Sequence, residues 1–179
     1  MQRHIYRHSL TNTLYLTISL HHTSMNVSTN TSKAVTIMKR ILFVCHGNIC
    51  RSPMAEFIMK KLVQDADMES EFLIASAATS TEELGNPVYP PARRKLAEHG
   101  IRCDGKTARQ ITRADYEQYD LLIGMDEANI HNMMRICGGD PKGKIRKLLS
   151  RDVADPWYTG NFDATWHDCL EGCMKLLKN

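Results

Sequence analysis

The chain has 179 residues, 42% of them hydrophobic and 24% charged, which suffices for one domain with a sizeable core and leaves little room for a second. Its formal net charge of +3 does not indicate a nucleic-acid-binding surface, because residues 1–40 contribute +5 and the rest of the chain −2. The six cysteines include no C-x-x-C pair, and no cysteine–histidine set has the spacing of zinc ligands.

Residues 1–37 differ in composition from the rest of the chain, since threonine, serine, asparagine and histidine dominate and no acidic residue occurs. The apolar positions of residues 10–20 are interrupted by polar ones, so this stretch is too short and too polar to span a membrane and makes a poor signal peptide. A transit peptide stays an alternative, although arginine is sparse. We expect residues 1–37 to be a disordered or wrongly annotated extension and residues 38–179 to form the domain.

The first strand, loop and helix of the domain are predicted around residues 41–62. Residues 41–44 form a continuous apolar run, typical of a strand buried on both faces of a parallel sheet. Apolar residues return at helical spacing from Met54, and we expect Ser52 to cap that helix with Pro53 in its first turn. The intervening loop therefore lies at a helix N-terminus, where free N–H groups and the helix dipole favour an anion.

This loop carries a cysteine and an arginine. Cys45 follows the strand directly, and a helix N-terminus and a nearby arginine both favour the thiolate form of a cysteine. Arg51 offers a planar guanidinium that can bind two phosphoryl oxygens at once. Gly47 lets the backbone approach a ligand closely, and Asn48 tolerates a left-handed conformation. The combination indicates attack of sulfur on a bound phosphate, whereas a cysteine alone after a buried strand would be a small core residue.

Residues 44–53 resemble the active-site loop of the low-molecular-weight protein tyrosine phosphatases. They match the family pattern V-C-x-G-N-x-C-R-S-P at every fixed position, and the resemblance continues to the end of the chain. It implies that Cys45 is the nucleophile, and that Arg51 and the loop amides bind the phosphate. The loop residues implied in phosphate binding are His46, Gly47, Asn48, Ile49, Cys50 and Ser52.

The rest of the pattern alternates strands and helices, which predicts a single three-layer α/β domain. Strands are predicted at residues 72–77, 120–125 and 144–149, the last at a sheet edge. Helices are predicted at residues 88–99 before Gly100, after a capping box of Thr112 and Asp115, after Asp126, and along the stripe Phe162, Trp166, Leu170, Cys173 and Leu177. The resemblance implies a flavodoxin-like, four-stranded parallel doubly wound sheet in the order 2-1-3-4.

The resemblance also gives roles to residues far from the loop in sequence. Ser76, at the end of the second strand, is implied to support the loop through a hydrogen bond with Asn48. Leu84 is implied to form an apolar wall of the substrate cleft. The chain departs from the family at two positions: Glu82 replaces an aromatic residue of some relatives, and Lys106 stands where mammalian relatives have a histidine.

A second catalytic group is needed to protonate the leaving oxygen, and a positioned carboxylic acid contributes about 10²–10⁴ in rate. Asp155 begins a stretch that matches the family's D-P-[YWF]-[YF] loop, so we expect it to be the general acid and base. The aromatic side chains of Trp157 and Tyr158 are expected to line the pocket mouth and stack on a substrate ring. Asp152 lacks the following proline and is expected to be a surface residue.

The resemblance therefore implies a metal-independent hydrolase without a cofactor. Cys45 attacks phosphorus while Asp155 protonates the leaving oxygen, and Asp155 then activates the water that hydrolyses the cysteinyl-phosphate. The expected substrates are phosphotyrosine-containing proteins and small aryl phosphates, with no nucleic-acid or membrane partner. We expect a monomer or weak dimer. We expect the protein in the cytoplasm, because free thiols beside a catalytic cysteine suit a reducing compartment.

Three other functions stay open. An arsenate reductase needs two further redox cysteines, and Cys103 has no cysteine within the dozen residues that follow it. A protein-arginine phosphatase carries a threonine where this chain has Ile49, whose bulk favours a phenyl ring. A phosphotyrosine-binding module without catalysis would be expected to lose Cys45 or Asp155, and both are present.

Cys50 has a separate predicted role. The resemblance implies that peroxide joins Cys50 to Cys45 in a reversible disulfide, which protects the nucleophile from over-oxidation. The alternative is that Cys50 is only a packed core residue.

Overall fold

A parallel sheet forms the centre of the protein, whose computed structural model describes residues 38–178. The strands are β1 (Lys39–Cys45), β2 (Phe72–Ala78), β3 (Leu121–Gly124) and β4 (Ile145–Lys147). All pair in parallel, in the order β2-β1-β3-β4 that the resemblance implied. The prediction for residues 1–37 lies outside the described residues.

Helices cover both faces of this sheet. They are α1 (Arg51–Asp65), α2 (Pro90–Glu98), α3 (Arg113–Gln118), α4 (Glu127–Cys137), α5 (Pro156–Thr159) and α6 (Phe162–Lys178). Because successive side chains of a strand point to opposite faces, Phe43 of β1 packs in one apolar cluster with residues of α1, α2 and α6. Its neighbour Val44 packs in a second cluster with residues of α3 and α4. The predicted three layers are confirmed.

Helix ends follow the predicted caps, with one exception. Thr112 and Asp115 form the predicted capping box at α3, and the Asp126 side chain caps α4 by accepting from Asn129 N at 2.7 Å. The prediction that Ser52 caps α1 is wrong, because α1 begins at Arg51 with Cys50 at the N-cap. Ser52 lies inside the first turn, which leaves its hydroxyl free for the active-site loop.

The last helix buries a face slightly different from the predicted stripe. Trp166 and Cys173 are buried as expected, whereas Leu170 is only partly buried and Cys169 is fully buried instead. Gly172 allows α6 to approach Leu148 closely, since a Cβ at this position would overlap with the leucine side chain. Among residues 38–178, no helix is long and apolar enough to cross a bilayer.

Candidate active site

The active-site loop begins where β1 ends. Cys45 is the last residue of β1, which lies between β2 and β3 in the sheet. The loop then turns through Asn48, whose φ of 58° lies in the left-handed region, and enters α1 at Arg51. The carboxyl end of a central parallel strand and the N-terminus of a helix thus meet at one point, as in other ligand sites of doubly wound sheets.

The Cys45 sulfur lies beside two hydrogen-bonding groups of this loop. Its Sγ atom lies 3.3 Å from the donating backbone N–H of Asn48 and 3.0 Å from Ser52 Oγ. The residue is only 3% exposed. The loop therefore holds the sulfur in place between a backbone donor and a hydroxyl group.

The carbonyl oxygens and the N–H groups of the loop backbone differ in their hydrogen bonding. Several carbonyl oxygens are bound by N–H groups of other segments: Thr79 N donates to Cys45 O at 2.8 Å, Ser80 N to His46 O at 3.0 Å, and Tyr89 N to Ile49 O at 2.9 Å. By contrast, the N–H groups of Gly47, Ile49, Cys50 and Arg51 have no acceptor within residues 38–178. Successive free N–H groups at a helix N-terminus form an anion-binding concavity.

Arg51 supplies the positive charge of the site and is only 3% exposed. Its Nη1 donates to Asp126 Oδ2 at 2.5 Å and to Val153 O at 3.2 Å, and its Nη2 donates to Asp155 Oδ2 at 2.5 Å. Burial opposes the guanidinium charge, but Cys45 and the two aspartates outweigh burial and raise the pKa of Arg51. The charged arginine therefore links the active-site loop to Asp126 at the start of α4 and to the segment of Val153 and Asp155 before α5.

Asp155 caps the short helix α5. Its Oδ1 accepts from Trp157 N at 3.0 Å, while Oδ2 accepts from Arg51. The buried Pro156 follows it, as the motif predicts. Asp152 instead pairs with Lys147 at 2.9 Å and is half exposed, which matches its expected surface position.

The structure gathers most of the predicted site residues around one cleft. Its lining includes Cys45, His46, Gly47, Ile49, Cys50, Arg51, Asp155, Trp157 and Tyr158. Asn48 and Ser52 are 1% and 0% exposed, and their side chains lie behind the loop rather than in the cleft.

Leu84 does not form the predicted apolar wall of the substrate cleft. Leu84 is 49% exposed and is not among the residues that line the cleft. Glu82 and Glu83 line the cleft at this place instead. The loop turns immediately after Leu84, at Gly85, whose φ is +80°.

A buried polar network supports the loop from behind. The Asn48 side-chain amide donates to Ser76 Oγ at 2.8 Å, the contact that the resemblance implied, and to Ser52 Oγ at 2.9 Å. Ser76 Oγ donates to Glu56 Oε2 at 2.5 Å, and Lys106 Nζ lies 3.0 Å from the same carboxylate. The left-handed conformation of Asn48 is therefore fixed by a chain of side chains that ends in an ion pair.

Sequence reasoning missed Glu56 and gave Lys106 no role. Burial disfavours the Glu56 carboxylate, but Lys106 and Lys60 outweigh burial and lower its pKa. The available signal was Glu56 itself, an acidic residue on the apolar side of α1 between Ala55 and Ile58. A carboxylate that is 3% exposed needs a cationic partner, and Lys106 was the unassigned candidate.

The comparisons with known proteins agree with this geometry. The family profile "Low molecular weight phosphotyrosine protein phosphatase" matches residues 40–179. The chain belongs to this family. The chicken (Gallus gallus) phosphatase of this name is 39% identical over 152 residues, a match that covers 79% of this chain and 95% of the chicken protein.

Solved structures of other members superpose on this phosphatase. The crystal structure of YfkJ from Bacillus subtilis has a TM-score of 0.76 and 38% identity, and the match covers 79% of this chain and 93% of YfkJ. The crystal structure of a Drosophila arginine phosphatase has a TM-score of 0.70 and 27% identity, over 79% of this chain and 96% of that one. Within residues 38–178, this family member has no group of three or more histidine, cysteine, aspartate or glutamate side chains placed to hold a metal ion.

Proposed function

We propose that this protein hydrolyses phosphotyrosine in proteins, and small aryl phosphates, through a cysteinyl-phosphate intermediate. The observation that carries the proposal is a buried sulfur, hydrogen-bonded by Asn48 N and Ser52, in a cleft whose cation, Arg51, is bound to Asp155. Nucleophile, phosphate-binding cation and carboxylic acid are the three groups that the reaction needs.

In the first step, the Cys45 thiolate attacks phosphorus and the bond to the leaving oxygen breaks. Arg51 and the free loop N–H groups bind the equatorial oxygens, whose charge they stabilise in the transition state. Asp155 gives its proton to the leaving oxygen, so the alcohol leaves neutral. The product of this step is a phosphate ester of the Cys45 sulfur.

In the second step, Asp155 takes a proton from a water molecule that attacks the cysteinyl-phosphate. The sulfur–phosphorus bond breaks, and Cys45 leaves as a thiolate stabilised by Ser52 and by Asn48 N. The same carboxyl group thus acts once as acid and once as base.

The pairing of Asp155 with Arg51 connects substrate binding to proton transfer. The phosphate dianion competes for the Arg51 nitrogen that Asp155 Oδ2 holds at 2.5 Å. Substrate binding therefore frees the Asp155 carboxyl group from the arginine, beside the oxygen that it protonates.

The aromatic side chains at the cleft mouth support an aryl substrate. Trp157 and Tyr158 are 52% and 83% exposed and line the cleft. The Trp157 ring packs against Tyr89 with 5.0 Å between centroids, which orients one face of the mouth. A phenyl ring can stack there while Ile49 contacts its edge.

The test is hydrolysis of p-nitrophenyl phosphate by the full chain in the presence of EDTA. Cys45→Ser is expected to lose at least about 10³-fold in kcat and Asp155→Ala about 10²–10⁴-fold. Asp152→Ala, a neighbouring carboxylate outside the cleft, serves as the matched control and keeps parental kcat. Activity that survives in Cys45→Ser would contradict the mechanism.

Peptides with phosphotyrosine or phosphoarginine, compared under the same conditions, decide the substrate. Preference for phosphotyrosine supports the proposal, and preference for phosphoarginine replaces it with the arginine phosphatase alternative. Binding of phosphotyrosine without any turnover would indicate a binding module.

We further propose that residues 38–179 form the catalytic domain, acting as a monomer or weak dimer in the cytoplasm. All six cysteines are unpaired in the described part of the chain, which suits a reducing compartment. A chain that begins at Met38 should retain the full activity of residues 1–179, and loss of activity would show that the extension is needed.

A further inference from the structure

Two acidic side chains form a wall of the catalytic cleft. Glu82 and Glu83 line the same cleft as Cys45 and Arg51, on the loop that follows β2. An apolar wall was expected here, and the wall that the substrate meets is charged instead. Its charge bears on what surrounds the phosphorylated residue of a substrate.

The position of this wall is fixed by packing and by backbone hydrogen bonds. A Cβ at Gly47 would lie 3.1 Å from Glu83 Cγ, so the glycine makes room for the Glu83 stem against the phosphate-binding loop. Two backbone hydrogen bonds hold the loop after β2. Gly85 N donates to Ala108 O at 2.9 Å, and Ala108 N donates to Asn86 O at 2.8 Å. The carboxylates are therefore held beside the cleft.

The negative charge of this wall is poorly compensated within residues 38–178. Glu83 accepts from the neutral amide of Asn86 at 2.7 Å and forms no ion pair there. Glu82 lies 3.0 Å from His46 Nε2 and, within the same residues, pairs with no lysine or arginine. Asp155, by contrast, faces the same cleft with its charge paired to Arg51.

We propose that Glu82 and Glu83 make this phosphatase select phosphotyrosine that is flanked by lysine or arginine. The inference rests on the proposed function, because it concerns the residues beside a phosphotyrosine bound at Cys45. A phosphate dianion near two carboxylates is repelled, and an adjacent acidic residue adds to the repulsion. A flanking cation attracts both carboxylates and offsets that cost.

The size of the effect follows from exposure. Glu82 has a side chain that is 71% exposed, so solvent screens its charge, whereas Glu83 is partly buried. Screened pairs of this kind give a preference of about three- to tenfold in kcat/KM. Because the flanking contacts are the same in ground and transition state, the preference should appear in KM rather than in kcat.

The experiment compares two phosphotyrosine peptides that differ only in the residues on either side, lysine in one and glutamate in the other. Their kcat/KM ratio is measured for the full chain, for Glu82→Gln, for Glu83→Gln and for the double variant. Glu69→Gln, which removes the same charge before β2 at the opposite end of the sheet, is the matched control. The ratio uses one enzyme preparation, so differences in the folded fraction cancel.

We expect a ratio that favours the lysine peptide, falls in each single variant, approaches one in the double variant and decreases with salt. Glu69→Gln should keep the parental ratio. An unchanged ratio in the double variant, or a parental ratio of one or below, overturns the inference. Hydrolysis of p-nitrophenyl phosphate by the parent is measured alongside, so that failure of the proposed function is recognised separately.

Discussion

Lys106 Nζ lies 3.0 Å from Glu56 Oε2, and the two side chains are 13% and 4% exposed. This ion pair stands behind the active-site loop, where Glu56 also accepts from Ser76, which in turn binds Asn48. The chain thus supports its phosphate-binding loop with a lysine where mammalian relatives are expected to have a histidine. The free energy of unfolding should therefore depend on this ion pair.

Lys106→Met is expected to lower the free energy of unfolding by about 1–3 kcal/mol, because it leaves a buried carboxylate with Lys60 as its remaining cation. Urea denaturation of the full chain measures the change. Lys142→Met removes an exposed pair with Glu117 and, as the control, should cost much less than Lys106→Met. Equal costs for both variants would show that the buried pair has no special weight.

Stability should also depend on pH through Glu56. Its pKa is lower in the folded protein than in the unfolded chain, so its contribution is fully present above the ordinary glutamate pKa of about 4.3 and is lost as pH falls through the folded value. The free energy of unfolding, measured by urea denaturation at several values between pH 7 and pH 3, should therefore fall more steeply for the parent than for Glu56→Gln. Parallel curves would contradict the lowered pKa.

Alkylation should distinguish the two cysteines of the loop. Burial and the nearby Cys45 raise the pKa of the Cys50 thiol to about 12, so Cys50 is protonated at neutral pH. At pH 7, iodoacetamide should modify Cys45 and abolish activity, and inorganic phosphate should protect. Peptide mass mapping locates the label, and Cys50→Ser should be labelled as fast as the parent. Label on Cys50 in the parent would refute this order of reactivity.

Cys50 is also predicted to protect the nucleophile from peroxide. Peroxide oxidises the Cys45 thiolate to a sulfenic acid, and the Cys50 thiol then forms the disulfide with release of water. Peroxide followed by dithiothreitol should restore activity in the parent and much less in Cys50→Ser. Equal recovery would leave Cys50 with a packing role only.

Gly172→Ala tests the contact between α6 and Leu148, the residue that follows β4. The added methyl group overlaps with Leu148, and we expect a loss of about 1–2 kcal/mol, since overpacking outweighs the better helix propensity of alanine. In a Leu148→Ala background the same substitution should be neutral or stabilising, and urea denaturation of the four proteins gives the coupling. Equal losses in both backgrounds would place the strain elsewhere.

Much of this architecture could be predicted from the sequence, because periodicity and a contiguous motif are local signals. Residues 41–44 and the loop after them predicted the central strand, the left-handed Asn48 and the position of Cys45. What could not be predicted depends on contacts between distant segments. The partner of Glu56 lies on another loop, and Leu84 is exposed rather than part of the cleft wall.

The assignment of Ser52 failed for a related reason. Serine before an apolar helical run usually caps the helix, and only the loop conformation decides that its hydroxyl turns to the Cys45 sulfur. A preference that holds on average was overridden at a site where the side chain has another partner. Such exceptions are expected where function constrains a residue.

The carbonyl oxygens of the active-site loop accept hydrogen bonds from Thr79, Ser80 and Tyr89, which belong to segments well separated in the chain. The ten-residue motif is therefore not a portable module. A synthetic peptide with the sequence of residues 44–53, or the same ten residues grafted onto another strand and helix, would carry the reactive groups without the shape that orders them. Designers who wish to transfer this chemistry must transfer the neighbouring segments as well.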